Sequence, residues 1–577
     1  MRIVLVFPPP WKISLPGEPQ FPPGQGEPVS CSHPQMDADF IQAPTGLLSL
    51  AAQAMGGGHD VVVLNLANVC WQKLEASIRK RPADLFGLSC LTANRRGVFM
   101  TADFIRKVHP EAVVVVGGPH VTALPLETLA HCNSIDAVVI GEGEETFMEI
   151  VERLSADAGI SGIPGTAYRR DGLAVFAPPR PPIADLDRMV SPLQYFPMRK
   201  ILTSRGCPGK CTFCCSNLMW GRKVRFHSVE YVLDMVERAV RGYRQQIISF
   251  KDDTFTADRR RALSICEGIR SRKLDFVWSC ETRADHLDEE TIKAMRRAGC
   301  QRISMGVESG SEQILKNIRK PISPALVART TKAAQKFGIR VRYYMMVGNR
   351  GETYETFRRS LDFIRDSRPD QFIFTQLHLY PGTEEFKVFC ESGVVTPAIY
   401  FERDFAHLTC FAGKPADADR IYAVVKAMEG IQELWAPDAD ECRRIVDRTG
   451  GLPAARLDLA SALIQDGSMQ EGEAELQRAR ESGFCLPGRV YNCLACIAAA
   501  RGHISAAQAY LDKAMACHPH QVVIDNMLLL STEAPEDQST SRPIRLDPRI
   551  RFETTFIRQF PEFPDPDPFL DTRLEAW

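Results

Sequence analysis

The residues most able to do chemistry lie in one stretch, Leu202 to Cys215, reading Leu-Thr-Ser-Arg-Gly-Cys-Pro-Gly-Lys-Cys-Thr-Phe-Cys-Cys. Cys207, Cys211 and Cys214 stand there as C-x-x-x-C-x-x-C. Three thiolates this close, in a loop rich in Gly and Pro, can ligate three irons of a 4Fe-4S cluster. The fourth iron then has no protein ligand and is free to take a small molecule. Zinc is the competing reading, but it favours four ligands in C-x-x-C pairs or Cys/His sets, and no second pair lies nearby. Ordinary buried thiols are the remaining alternative. Cys215 reads as a small packing residue or a spare thiol beside the array.

The chain that must position this array has 577 residues, too many for one core, so two to four domains are expected. Hydrophobic content is 45% and charged content 24%, ordinary for a globular protein. Seventy basic and 71 acidic residues leave a net charge of −1, which gives no electrostatic case for nucleic acid or an anionic membrane as partner. Eighteen cysteines are too sparse for a disulfide scaffold and point to a reducing, cytoplasmic setting. The apolar run Ile3–Phe7 is too short for a signal sequence, and no run is long enough to span a membrane.

Around the cysteine array, strands and helices alternate. Strands are expected at Ile201–Thr203, Gln246–Phe250, Phe276–Cys280, Arg302–Gly306, Arg340–Val347 and Gln371–Leu377, with helices between them. Six such repeats predict a partial (β/α)6 barrel with its chemistry at the carboxyl ends of the strands. Polar residues gather at those ends: Asp252 and Asp253, Arg283, then Glu308 and Ser309. Each also reads as a solvated loop residue or half of a salt bridge. Of Tyr343 and Tyr344, one faces the barrel interior, because strand side chains alternate. His378 and Tyr380 follow the sixth strand and read as core or substrate contacts.

The N-terminal part predicts an open α/β domain. Strands at Ile3–Phe7, Val61–Leu66, Leu85–Leu91, Val113–Val116 and Ala137–Ile140 alternate with helices, as in a parallel doubly wound sheet. Its ligands belong beyond the strand carboxyl ends. The Gly-rich turns Gly117-Gly118 and Gly141-Glu142-Gly143-Glu144 fall there, and neither matches a dinucleotide fingerprint. Glu142 and Glu144 also suit a helix N-terminus. Trp11 to about Ser32 is expected to be a long loop over a site.

With Phe213 just before its third cysteine, the array resembles the signature of the radical S-adenosylmethionine (SAM) superfamily. The ordered set before it is Pro44-Thr45-Gly46, Ser89 with Thr92, Gly117-Gly118-Pro119-His120 and Gly141-Glu142-Gly143-Glu144. It resembles the cobalamin-binding domain that precedes the radical SAM domain in the cobalamin-dependent subgroup. The resemblance implies three cofactors: a 4Fe-4S cluster on Cys207, Cys211 and Cys214, SAM, and cobalamin. It places Asp252 and Asp253 at the SAM ammonium, Arg283 at its carboxylate, and Glu308 and Ser309 at carboxylate or ribose. It puts Thr45, Ser89, Thr92, Gly117, Gly118, His120, Gly141, Glu142 and Gly143 around cobalamin. No Asp-x-His-x-x-Gly loop is present, so cobalamin is expected without a protein histidine on cobalt. His120 is left to the corrin periphery or a helix cap, and His59 to a surface turn. Gly348-Asn349-Arg350-Gly351-Glu352-Thr353 departs from the family's Gly-x-Pro-Gly-Glu-Thr turn in its middle.

After Pro437 the pattern turns helical. Ala460, Gly467, Leu476 and Ala479 recur 35 residues on as Ala495, Gly502, Leu511 and Ala514, resembling tetratricopeptide helix pairs. Small residues there serve close packing or a protein-docking surface. The expected organisation is a cobalamin-binding domain (1–160), a proline-rich linker (161–198), a radical SAM domain (199–435), a helical region (436–532) and an irregular tail (533–577). The implied function is methyl transfer to an unactivated carbon or a phosphinate phosphorus, through a 5′-deoxyadenosyl radical and methylcobalamin. Radical cyclisation or rearrangement with the same cofactors is the alternative, and a non-catalytic scaffold or sensor the remote one. Implied partners are a small-molecule or peptide substrate, an external electron donor, and a protein bound by the helical repeats. Nucleic acid and membrane insertion are not expected.

Overall fold

The structure is a computed structural model. It describes residues 1–9, 44–67, 69, 71–402, 408, 410–428, 435–517, 519–533 and 543–550, and the backbone of 569–570. The loop expected at Trp11–Ser32 lies outside these residues.

The first sheet is built on β1 (Arg2–Phe7), β2 (Asp60–Asn65), β3 (Leu85–Ser89), β4 (Val113–Gly117) and β5 (Ala137–Val139), all parallel in the order 2-1-3-4-5. That order reverses between β1 and β3, which opens a crevice at their carboxyl ends. The apolar runs are explained by burial on both faces. Ile3, Leu5 and Phe7 point into one core and Val4 and Val6 into the other. The proline-rich linker 161–198 is partly taken up by the first sheet. Its hairpin, β6 (Thr166–Arg170) and β7 (Leu173–Phe176), extends the first sheet antiparallel to β5. Gln53 then fixes the connector by exchanging two hydrogen bonds with the main chain of Val190, at 2.9 and 3.0 Å.

The second sheet starts at β8 (Lys200–Ile201). A separate antiparallel pair follows, β9 (Ser204–Arg205) and β10 (Arg225–Phe226), bracketing the cysteine loop. β11 (Ile247–Phe250), β12 (Val277–Thr282), β13 (Cys300–Glu308), β14 (Arg340–Val347) and β15 (Gln371–Gln376) join β8 in a six-stranded parallel sheet, in sequence order. β16 (Phe569–Leu570) pairs antiparallel with β2 of the first sheet.

Helices Ala439–Thr449, Pro453–Gln465, Met469–Ser482, Pro487–Ala500, Ile504–Cys517 and Gln521–Glu533 follow the barrel. The residues of the 35-residue repeat are explained by this packing. Ala460, Leu476, Ala479 and their counterparts Ala495, Leu511 and Ala514 are all buried, and Gly467 and Gly502 end helices at positive φ. The array docks on the amino ends of the barrel strands. Leu486 packs on Ile247 and Val277, and Asp458 pairs with Arg296 (3.2 Å) and Arg489 (2.7 Å). It therefore lies on the side away from the strand carboxyl ends.

The two sheets are joined where their carboxyl ends meet. Arg205 pairs with Glu144 (2.5 Å) and lies 3.4 Å from Glu142, and Arg225 pairs with Glu142. All four side chains are nearly buried, at 12, 8, 5 and 9% exposure for Arg205, Glu144, Glu142 and Arg225. The acids of the Gly141-Glu142-Gly143-Glu144 turn thus hold the two strands that bracket the cysteine loop. Burial alone would raise the Glu144 carboxyl. The Arg205 guanidinium, its own main-chain N–H and the Ser49 hydroxyl together hold it below its ordinary value of 4.5.

A Cβ on Gly118, whose φ is +113°, would lie 2.6 Å from the Cys90 carbonyl oxygen, whereas one on Gly117 would meet only ordinary contacts at 3.6 Å. Gly118→Ala is expected to cost about 2–4 kcal/mol in a urea titration, and Gly117→Ala about 1 kcal/mol or less. Arg205→Ala leaves Glu144 buried and unpaired, with an expected loss of about 3–5 kcal/mol. Because the Glu144 pKa is depressed on folding, the pair's contribution is present above pH 4.5 and lost as the pH falls through the folded value. Wild-type stability should drop more steeply below pH 4.5 than that of the double variant Arg205→Leu/Glu144→Leu, measured by thermal unfolding across pH.

Candidate active site

The cysteine loop is suspended from a buried carboxylate. Asp252, fully buried at the end of β11, accepts from Thr203 N and Thr203 Oγ1 at 2.5 Å and from Ser204 N at 2.9 Å. Burial pushes the Asp252 carboxyl up, and the Thr203 hydrogen bonds and Arg261 oppose this only in part. Arg261 also donates to the Thr203 carbonyl at 2.8 Å. Asp252, expected at the SAM ammonium, therefore spends its acceptors on the strand that delivers the first cysteine. Ser309 is likewise turned into the frame, accepting from Ser311 N at 3.1 Å and bonding Ser360 Oγ at 3.2 Å.

The loop's middle rests on a second buried acid. Thr212 Oγ1 donates to Glu385 Oε1 (2.5 Å), and Arg350 pairs with the same oxygen (2.7 Å). Arg350 stands in the middle of the turn whose sequence departs from the family pattern. The departure thus supplies a cation to the acid that supports the residue between Cys211 and Phe213. Gly348 is fixed by Glu352 Oε2, which accepts from its N–H at 2.6 Å, and burial raises the Glu352 carboxyl to about 7. Phe213 is half-buried beside the loop, and Cys215 starts the short helix Ser216–Trp220.

The sulfurs fit a cluster. A Cβ on Gly209 would lie 3.3 Å from Cys207 Sγ, 3.8 Å from Cys211 Sγ and 3.1 Å from Arg283 Nη1, so these groups converge on one side of the loop. Gly209 N donates to Cys207 Sγ at 3.4 Å and Ser216 N to Cys214 Sγ at 3.5 Å, the kind of N–H···S bond that stabilises cluster thiolates. Burial pushes the Cys211 thiol up, while the positive charges of Lys320 and Arg283 pull it down. Among the described residues, no three His, Cys, Asp or Glu side chains converge as a single metal ion requires.

Charged residues ring this loop. Arg283 forms an ion pair with Asp285 at 2.8 Å. Glu308 has φ +67°, a left-handed conformation costly for a non-glycine residue, at a register shift between β13 and β14. That bulge aims its carboxylate at the buried Lys320 Nζ, 2.8 Å away, over Gly306. Lys320 had no signal in the sequence, because its position follows a short helix rather than a strand. Asp253 is exposed and accepts from Ser216 Oγ just after Cys214. Lys251 and Glu281 pair at 2.7 Å beside it. Tyr343 is the core member of its pair, bonded to Thr331 Oγ1 at 2.5 Å, which leaves Tyr344 on the opposite face of β14. His378 bonds the Gln376 carbonyl at 2.9 Å, and burial lowers its pKa.

Opposite the cysteine loop lie the carboxyl ends of the first sheet. A Cβ on Gly141 (φ +73°) would approach the Met219 carbonyl at 3.9 Å, and one on Gly382 would touch both Leu218 and Ala123. Arg205 stacks on Trp220 at 5.1 Å. The helix that follows the third cysteine therefore faces the first domain's ligand crevice. Thr45 and Ser89 are half-buried at that crevice, and a Cβ on Gly46 would meet nothing within 4 Å. Small side chains and open ground at the strand ends suit a large flat ligand such as a corrin. Gly143 packs on Leu50, and Gly118 on the Cys90 main chain. His120 is fully buried, its Nδ1 3.3 Å from Thr92 Oγ1 and its ring edge-on to Tyr400, and burial lowers its pKa to about 3. The imidazole is enclosed between Thr92 of the first domain and Tyr400 of the second.

Comparison with known proteins agrees with this division. Residues 37–151 match the model of the B12 binding domain, and residues 201–364 that of the radical SAM superfamily. An uncharacterized methyltransferase of Pyrococcus horikoshii is 35% identical over 353 residues, 59% of this chain and 77% of that one. The cytidylyl-2-hydroxyethylphosphonate methyltransferase of Streptomyces wedmorensis is 27% identical, over 54% of this chain and 68% of that one. The anaerobic magnesium-protoporphyrin IX monomethyl ester cyclase of Rubrivivax gelatinosus is also 27% identical, over 60% and 66%. The fold is shared with the radical SAM methyltransferase TsrM of Kitasatospora setae, at TM-score 0.55 and 19% identity over 69% of this chain and 76% of that one. It is also shared with the cobalamin-dependent radical enzyme OxsB, at TM-score 0.51 and 16% identity over 92% and 80%. With a B12 binding domain set before a radical SAM domain, and the cysteine loop of one facing the strand ends of the other, the chain belongs to the cobalamin-binding radical SAM enzymes.

Proposed function

We propose that this protein is a methyltransferase acting on an unactivated carbon or a phosphinate phosphorus, with a 4Fe-4S cluster, SAM and cobalamin as cofactors. One observation carries the reading. The strand that enters the cysteine loop is tied by Arg205 to the Glu144 turn of the cobalamin-binding domain, so the two cofactor sites face each other. The cofactors supply reductive SAM cleavage and methyl donation when bound. The chain's own residues bind, orient and exclude water.

In this reading Cys207, Cys211 and Cys214 hold the cluster. Asp253 meets the SAM ammonium and Arg283 its carboxylate, through charge-assisted hydrogen bonds, and Glu308 lies toward the carboxylate or ribose. Asp252 and Glu385 are positioning residues acting through Thr203 and Thr212. Thr45, Ser89, Gly117 and Gly141 contact cobalamin. The named methyltransferases among the relatives favour methylation, and the cyclases support ring closure with the same cofactors as the second reading. Among the described residues no helix is long and apolar enough to cross a membrane. We place the enzyme in the reducing cytoplasm, served by an external electron donor, with its C-terminal tetratricopeptide-like helices as a protein-docking surface.

The test is anaerobic. The protein is reconstituted with iron, sulfide and cobalamin, then given SAM and a strong reductant. Both 5′-deoxyadenosine and S-adenosylhomocysteine are expected by mass spectrometry, and both should vanish when the three cysteines are replaced by Ala. Deoxyadenosine without S-adenosylhomocysteine would turn the reading to cyclisation. Neither product, with iron and cobalamin loaded, would overturn it. Arg283→Ala should weaken SAM binding about 10- to 100-fold in equilibrium dialysis while iron content stays unchanged.

A further inference from the structure

Residues 543–550, Pro-Ile-Arg-Leu-Asp-Pro-Arg-Ile, form neither helix nor strand, yet they run along the helical array as a ligand would. Ile544 N donates to the Ala499 carbonyl at 3.0 Å, and Arg545 donates to that of Gln465. Ile544, Leu546 and Ile550 are 2, 4 and 2% exposed, sunk among the helices. Every one of these carbonyls belongs to the first helix of a helix pair.

The centre of the contact is a pair of buried amides, Asn492 and Asn526, set 34 residues apart on helices Pro487–Ala500 and Gln521–Glu533. Asn526 reads both main-chain groups of Asp547: its Oδ1 accepts from Asp547 N at 2.8 Å, and its Nδ2 donates to Asp547 O at 2.7 Å. Asn492 Nδ2 donates to the same carbonyl at 2.9 Å. Asn526 Nδ2 also donates to Asn492 Oδ1, at 3.0 Å. Emptying the groove would strand these groups in the interior, which is unfavourable. The Asp547 carboxylate takes no part in this. It accepts from Arg549 Nε and Arg549 N, at 3.0 and 2.9 Å, within the segment itself.

A groove that reads main chain through amides, and side chains only as aliphatic bulk, is built for an extended peptide rather than for one obligatory sequence. The segment also lies beyond the last described helix, separated from Glu533 by residues 534–542 and followed by the two-residue strand Phe569–Leu570 on β2, so it can leave the groove without breaking any described helix. We propose that residues 543–550 are a tethered ligand occupying a peptide-docking groove, and that the groove accepts in trans an extended peptide that offers main chain to Asn492 and Asn526 and aliphatic side chains on either side. This rests on the docking reading of the helical array and is independent of the chemistry at the cysteine loop, which lies at the opposite ends of the barrel strands.

Tethering gives the segment a high effective concentration, so the intact chain should resist a competitor. A protease site is inserted within residues 534–542 of the full chain, and the folded protein is cut. A fluorescent peptide of sequence 543–550 is then titrated by anisotropy. The cut protein is expected to bind it about 100-fold more tightly than the uncut one. Asn526→Ala should weaken binding to the cut protein at least about tenfold. Equal binding to cut and uncut protein, or none to the cut protein with its helical circular dichroism intact, would overturn the groove as a docking site. Hydrogen exchange on the uncut chain tests the tail separately. The Ile544 and Asp547 amides are expected to open about 100-fold more often than those of helix Pro487–Ala500. Exchange in step with that helix, or unfolding of the array on cutting, would instead make the segment part of the core.

Discussion

The Arg205–Glu144 and Arg225–Glu142 ion pairs are the constraint on which the rest of the structure depends. Burying four charged side chains is costly, and their mutual attraction offsets that only when each is closely paired. Such a contact is a poor glue but a strict register. It tolerates one arrangement of the two domains, because a small displacement leaves a buried charge alone. The arrangement it selects sets the strand ends of the first sheet against the loop of Cys207, Cys211 and Cys214.

The same logic repeats inside the barrel. Asp252 fixes the strand entering the cysteine loop, and Glu385, paired with Arg350, fixes its middle. Glu308 is held in a costly backbone conformation so that its carboxylate reaches Lys320. Two cations, Arg283 and Lys320, stand near thiols that must ionise to ligate iron. Polar groups are thus spent in two ways. Those within the frame hold the chain around the cysteines, and those at the loop are paired with one another.

The helical region shows a different economy. Its 35-residue repeat produces close-packed helix pairs, and the amides at a 34-residue interval bind main chain instead of packing apolar surface. Docked at the amino ends of the barrel strands, the array leaves the chemical face open. The groove filled by residues 543–550 and the cysteine loop are therefore spatially separate.

The sequence by itself determined what is local. Cysteine spacing defines the ligand set because all three thiols lie on one short loop. The apolar runs define parallel strands because both their faces are buried, and the strand-end glycines mark the crevice. Only the tertiary structure decided which polar residues face that crevice. Asp252 and Asp253 are neighbours, yet one is buried under Thr203 and the other is exposed beside Ser216. His120, at a strand end in sequence, is sealed behind Thr92. The connector's hairpin joins the first sheet, and Arg205, Lys320 and Glu385 gain their roles from partners 61, 12 and 173 residues away. Spacing along the chain carries no information about such pairs, because they are set by how two sheets and their loops pack in space.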